Sequence, residues 1–292
     1  MAADADLRDR VAAGYLGATG DDMESTRCHD YAAFVRPRFL DGVELVTVSY
    51  RDRAFPVHTH DGYVVGTVTA GAEALNVGGG THTVSPGQVL LLHPHEPHSN
   101  RSLGCEALRY RVFYLPVAAI AAYAGECGDA PLTFASPVLS DPVLADTIAG
   151  LHARLSRAPD DRLAQQSALA ALVDALIGRT GSEAAPPPPG GDAARDVRDW
   201  IDEHFAEDFG LADLAARAGL SVFRFSHVFK ASTGLSPMAY RNQCRVNAAR
   251  RRLLAGEPIA QVALDVGFAD QSHLTRWFQR VVGVSPQRYR QQ

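Results

Sequence analysis

The sequence predicts an α+β chain of two domains: a β-rich first half closed by a pair of helices, and an all-helical last third built on two helix-turn-helix units. Three observations carry this. Short β-branched runs alternate with glycine turns before residue 116, helical periodicity takes over after residue 141, and residues 211–290 contain an internal repeat. A chain of 292 residues is long enough for two ordinary cores. Its 46% apolar and 21% charged residues are the balance of a folded globular protein.

The strands come first. VELVTVSY (43–50), YVVGTVTA (63–70), HTVSP (82–86), QVLLLHP (88–94) and ALRYRVFYL (107–115) are rich in β-branched and aromatic residues. Asp61-Gly62, Gly78-Gly79-Gly80 and Pro86-Gly87 punctuate them. Turn signals about every ten residues predict a sandwich or small barrel. Beyond residue 141 the period changes from two to 3.6. Leu144, Ile148, Leu151 and Leu155 line one helix; Leu163, Leu169, Leu172, Val173, Leu176 and Ile177 line the next. After Gly178, the stretch GRTGSEAAPPPPGGDA reads as a linker, because four prolines favour extended polyproline II and the glycines loosen the rest. The predicted organisation is a β domain over 1–140, a helical pair over 141–178, a linker over 179–192 and a helical domain over 193–292.

The last third contains two copies of one unit. FRFSHVFKASTGLSPMAYR (223–241) overlays SHLTRWFQRVVGVSPQRYR (272–290) at an offset of 49, and LADLAARAG (211–219) overlays IAQVALDVG (259–267) at an offset of 48. Each copy reads as a helix-turn-helix. Leu211, Leu214 and Ala215, or Ile259, Val262 and Ala263, form the apolar stripe of a short helix. Gly219 and Gly267 supply the left-handed C-cap, and Ser221 or Asp270 caps the helix that follows. That helix buries Phe225, Val228 and Phe229, or Leu274, Trp277 and Phe278, and turns a polar, cationic face outward.

Net charge is −5, yet the average hides an asymmetry. From Phe209 onward twelve Arg and Lys stand against four Asp and Glu, a net of +8, which leaves −13 on the remainder. A basic end on an acidic body fits one domain that meets a polyanion. A helical repeat used for protein contacts is the blander alternative. Cys28, Cys105, Cys127 and Cys244 form no CxxC pair, as in reduced cytoplasmic thiols rather than a disulfide framework. The first residues, MAADADLRDRVAAGYLG, contain no apolar h-region, and no run approaches membrane-spanning length, so the expectation is a cytoplasmic protein with no membrane partner.

The segment from GLADLAARAGLSVFRFSHVFKASTGLSPMAYR to PIAQVALDVGFADQSHLTRWFQRVVGVSPQRYR resembles the DNA-binding domain of the AraC/XylS family of transcription regulators, over about 195–290. The resemblance implies seven helices, with a long one at about 237–254 bridging the two units. Eighteen residues span ~27 Å, enough to set two recognition helices about one turn of double-stranded DNA apart. Phe223, Arg224, Ser226, His227 and Lys230 are the DNA-binding candidates of the first unit; Gln271, Ser272, His273, Thr275 and Arg276 are those of the second. Phe223 suits a thymine methyl, Gln271 adenine, Arg276 guanine, and Arg224 guanine or phosphate. By the resemblance, Phe223, Ser226, His227, Gln271, Ser272, His273 and Arg276 fall on base-facing positions. Arg241, Arg245 and Arg280 are phosphate candidates. The extra arginine in Arg250-Arg251-Arg252 is expected to change charge rather than architecture.

FPVHTHDGYVVGTVTAG (55–71) with SPGQVLLLHPHEPHS (85–99) resembles the cupin-type effector domain found ahead of such DNA-binding modules. His58, His60 and His98 fit the histidine positions of metal cupins, but the glutamate position falls near Val64 or Val65. His58, His60, Tyr63 and His98 are therefore effector-pocket candidates, and the three histidines are also candidates for a divalent metal, with no cofactor required. His93 and His95 read as surface residues. By the resemblance, the helical pair forms the interface of a homodimer; by its pattern, it covers the barrel. The expectation is a sequence-specific DNA-binding regulator, an activator as is commoner in the family, that answers to an unidentified small molecule and engages RNA polymerase. It is not expected to be an enzyme. The alternatives are a metal-dependent cupin enzyme with an appended DNA module, and a constitutive DNA-binding protein whose barrel only dimerises.

Overall fold

The computed structural model describes residues 30–124, 132–157, 161–177, 179 and 192–292. Cys28, Cys127 and nearly all of the linker expected over 179–192 lie outside the described residues. Among the described residues ten strands come first: β1 (Tyr31–Val35), β2 (Glu44–Tyr50), β3 (Ala54–His58), β4 (Tyr63–Ala70), β5 (Ala72–Val77), β6 (Gly80–Val84), β7 (Gln88–Leu92), β8 (His98–Leu103), β9 (Leu108–Leu115) and, after helix α1 (Val117–Ala124), β10 (Val138–Ser140). They form two sheets, β1-β2-β9-β4-β7-β10 and β3-β8-β5-β6, paired antiparallel and not joined into a closed ring. The fold class is the one the sequence predicts, with the barrel realised as two facing sheets.

Alternation decides what each strand residue meets. On β9, Phe113 and Leu115 point to the outer face of the larger sheet, where α2 (Pro142–Arg157) and α3 (Arg162–Ile177) cover them with Leu144, Ile148, Leu151, Leu169, Leu172 and Leu176. Leu108 and Val112 point the other way, into a core between the sheets with Val64, Leu75, Val84 and Leu92. The leucine stripes expected on α2 and α3 are thus occupied within the chain. Leu163 is the exception, 75% exposed on the far side of α3.

Seven helices follow: α4 (Asp192–His204), α5 (Leu211–Arg217), α6 (Val222–Thr233), α7 (Pro237–Leu254), α8 (Ile259–Asp265), α9 (Gln271–Val282) and α10 (Pro286–Arg290). The first unit packs Val197, Ile201, Leu214, Phe225, Phe229 and Tyr240 around one core. The second packs Val262, Ala263, Leu274, Phe278 and Tyr289, and its core runs on without a break into Ala32, Phe34, Val46, Val48 and Tyr50 of the β domain. Burying each large apolar side chain contributes roughly 1.5–3 kcal/mol, so this seam is a substantial contact.

Candidate nucleic-acid interface and inter-domain chamber

Each putting-together of two short helices rests on a cap. Ser221 Oγ accepts from Arg224 N, and Asp270 Oδ1 accepts from His273 N at 2.7 Å, starting α6 and α9. Gly219 and Gly267 take φ of +64° and +90° to turn from the first helix into the second. The caps leave one end of each second helix in solvent. Phe223 is 81% exposed, with the imidazole of His227 stacked on it at 6.0 Å; Arg224 and Lys230 are exposed beside them. On α9, Gln271, Ser272 and Arg276 are exposed, and His273 is half-buried against Phe268. Ser226 and Thr275 occupy equivalent places, and each hydroxyl donates to the carbonyl four residues earlier (Val222 and Gln271, both at 2.8 Å). All ten DNA-binding candidates therefore lie on α6 or α9, the more exposed of them along open faces.

The phosphate candidates divide. Arg280 is exposed, its guanidinium 5.4 Å over the Trp277 ring. Arg241 and Arg245 are buried and correct the expectation for them. Arg241 donates to Phe209 O at 3.0 Å, and Arg245 donates to Phe205 O at 2.7 Å and Glu207 O at 3.2 Å. The loop after α4 ends in carbonyls that no helix satisfies, and these two guanidiniums supply the donors. They hold the first unit to the bridging helix α7.

Arg250 also departs from expectation. It crosses the seam to Glu44, which is 6% exposed, and Tyr289 donates to the same carboxylate at 2.6 Å. Arg36 adds a second guanidinium at 2.8 Å and lies 4.4 Å over the Tyr289 ring. Burial pushes the Glu44 carboxyl up, but Arg250, Arg36 and the Tyr289 hydroxyl outweigh it and hold it below the usual carboxylate range. The first arginine of the run belongs to the architecture after all. Farther along the seam, Arg53 donates to Gln279 O and Gly283 O at the C-terminal end of α9, where a cation is favoured.

Beneath this seam the expected histidines meet. His58 and His98 are cross-strand partners on β3 and β8, with rings 4.3 Å apart. His60 lies two residues past the end of β3 rather than on it, yet its ring comes within 5.0 Å of His58 and 5.2 Å of His98. Burial holds all three below the ordinary histidine range, His98 at about 3. The cavity around them is small, about 60 Å³. Tyr50, Tyr110, Tyr114, Gln243 and Arg250 help line it, and Val281 and Val282 of α9 close it.

Tyr63, the fourth pocket candidate, is not in this cavity. Its parity on β4 matches Val65, so it points to the helical side, 6.0 Å from Phe134, while Val64 faces the cavity. His93 corrects another expectation: it is half-buried, accepting from Phe134 N at 3.0 Å, whereas His95 is exposed. The sequence reading missed Glu73. It lines the cavity, 2% exposed, accepts from Asn100 Nδ2 at 2.9 Å, and burial pushes its carboxyl up to about 6. Its signal was present: Glu73 shares strand parity with Leu75 and Val77, an acid in an apolar stripe. A second, wider cleft of about 680 Å³ opens between β2, the start of α1 and the end of α7. His60, Tyr114, Glu44 and Arg250 belong to both the seam and its walls.

Two capped helix pairs of matching sequence, joined by an 18-residue helix, define a helix-turn-helix protein of the DNA-binding class. Residues 214–292 match the family model of a helix-turn-helix domain, and residues 42–173 match that of an AraC-like ligand binding domain. The uncharacterized HTH-type transcriptional regulator YbfI of Bacillus subtilis is 30% identical over 226 residues, covering 75% of this chain and 81% of the relative. The arabinose operon regulatory protein of Salmonella typhimurium is 28% identical over 78% of this chain and 83% of its own length. The transcriptional activator RhaS of Klebsiella pneumoniae is 25% identical over 87% and 94%. In fold, the chain is similar to unsaturated fatty acid bound ToxT of Vibrio cholerae, with a TM-score of 0.56 at 14% identity over 90% of this chain and 96% of that one. The chain belongs to the AraC family of transcriptional regulators, with a ligand-binding domain ahead of a DNA-binding domain.

Proposed function

We propose that this regulator is a cytoplasmic homodimer that activates transcription, and that a small organic molecule bound against the seam changes how its second helix-turn-helix unit meets double-stranded DNA. One observation carries the coupling: α7 of the DNA-binding domain is a wall of both the chamber and the cleft, and α9 is a wall of the chamber. A ligand there touches both domains, so it has the differential contact with two arrangements that a switch requires. The 680 Å³ cleft is within the range of small-molecule sites, whereas about 60 Å³ is not. We assign the effector to the cleft, reaching His60.

For the DNA contacts we assign Phe223, Arg224, Ser226, His227, Gln271, Ser272, His273, Thr275 and Arg276 to the grooves and Lys230 to phosphate. Dimerisation is assigned to the exposed side of the helical pair, where Val143 and Leu163 are uncovered; light scattering on the full chain and on Leu163→Glu tests it, with a dimer that survives the charge counting against this surface. No α-helix among the described residues is long and apolar enough to cross a membrane. A metal-dependent enzyme is the reading the histidines would otherwise favour, but a chamber of about 60 Å³ has little room for an organic substrate beside an ion.

The decisive experiment is selection of bound genomic DNA by the full chain, followed by fluorescence anisotropy on the recovered site. Breaking the seam with Glu44→Gln is expected to change operator affinity at least about fivefold, the lower end of ordinary allosteric coupling. Equal affinities would reduce the β domain to a passive dimerisation module.

A further inference from the structure

We propose that His58, His60 and His98 form a binding site for one divalent transition-metal ion, enclosed between the two sheets and roofed by α9. The inference stands apart from the effector reading above. It rests first on convergence: one ring nitrogen from each histidine lies within 4.8 Å of the other two, on three side chains drawn from β3, the turn after it and β8.

It rests next on tautomers. His58 Nδ1 is 2.8 Å from Pro56 O, and His98 Nδ1 is 2.9 Å from Glu96 O. A carbonyl only accepts, so each Nδ1 carries a hydrogen and each Nε2 presents a lone pair. A carbonyl on the far nitrogen of each ring is also the usual outer support of a metal-bound histidine, fixing its orientation. His60 is held differently, by its ring lying 4.6 Å from that of Tyr114. Two such acceptors beside a third imidazole, with ring nitrogens of all three within 4.8 Å of one another, suit an electron-poor occupant between them.

The size of the chamber selects the occupant. About 60 Å³ accommodates an ion with a water or two, and nothing the size of a sugar or an organic acid. Metal–nitrogen bonds of ~2.0–2.1 Å require the rings to draw together by about an ångström, a small side-chain rotation. Imidazole ligands select zinc, cobalt, nickel, copper or ferrous iron over calcium or magnesium. Glu73 lines the same chamber, and Arg250, which also lines it, is already paired with Glu44.

The test uses untagged full-length protein, stripped with EDTA and titrated with Co²⁺ or Zn²⁺. One ion per chain is expected, with visible Co²⁺ bands and a rise in melting temperature. His58→Ala and His98→Ala are each expected to lose about a hundredfold in affinity or more, while His82→Ala binds as the wild type does. If those variants do not fold, X-ray absorption of the Zn²⁺-loaded wild type decides, three imidazole nitrogens supporting the site and one or none removing it. Substoichiometric metal in the wild type, or equal binding by folded variants, overturns the proposal and leaves the DNA-binding assignment intact.

Discussion

Glu44 and Glu73 show how differently two buried carboxylates behave. Glu44 sits between Arg250, Arg36 and Tyr289, and its folded carboxyl titrates below its unfolded value. Its contribution is complete above about pH 5 and fades as pH falls through the lowered value. Glu44→Gln is expected to cost about 3 kcal/mol at pH 7, the scale of breaking a buried pair, and the difference should shrink in acid. Glu73 has the opposite sign, with a folded value of about 6 above its unfolded one. Its ionised form is a liability at neutral pH that disappears as pH falls below about 4. Glu73→Gln should therefore stabilise the chain by up to about 2 kcal/mol at pH 7 and be neutral at pH 4; denaturant titrations at both values check the pair. On the DNA side, Arg276→Ala is expected to lose roughly 1–3 kcal/mol of operator affinity and relax one base position. A uniform loss across all sequences would reassign Arg276 to phosphate. Residue placement was legible for the three histidines, which the resemblance picked out and whose rings come together. It was not legible for Arg241, Arg245 and Arg250, because an arginine aimed at a carbonyl or a carboxylate looks in sequence like one aimed at phosphate.

At the scale of elements, the repeat was readable because two copies share caps, glycines and apolar spacing. The copies are not equivalent in their surroundings. A Cβ at Gly219 would meet nothing within 4 Å, whereas one at Gly267 would lie 2.6 Å from Ala206 O and 2.7 Å from Arg245 Nη2. Both glycines have positive φ, so alanine strains either turn by about 1 kcal/mol. Gly267→Ala adds a clash with backbone, and its melting temperature should drop well below that of Gly219→Ala. Equal drops would mean that the loop after α4 yields freely. The strands were readable from their period, and their division into two sheets was not. Pairing partners such as β4 and β9 lie some 45 residues apart, and nothing local in either strand names the other. Tyr63 was misplaced for a related reason: adjacency to His60 in sequence says little once a strand assigns odd and even residues to opposite faces.

The whole molecule holds what the sequence conceals most completely. Contacts such as Arg250 with Glu44, or Arg53 with Gly283, join residues more than 200 positions apart. Composition, period and spacing describe each partner and are silent on the pairing. Arg53→Ala removes two hydrogen bonds to the end of α9 and two aromatic contacts. It is expected to raise amide exchange along α9 and β3 at least severalfold while leaving α5 and α6 unchanged. Exchange that rises equally in both units would show the seam to be unimportant to the second.

Both recognition helices stop against the same body. A Cβ at Gly234, after α6, would come 2.4 Å from Pro97 Cβ, and one at Gly283, after α9, would come 3.0 Å from Tyr50 Oη. The β domain thus acts as the frame of a caliper whose two jaws are α6 and α9. Pro97 and Tyr50 are the stops that the two helix ends meet, and neither lies on α6 or α9. Variants that read operators with altered half-site spacing should accordingly be sought at those two stops before the base-reading helices are touched.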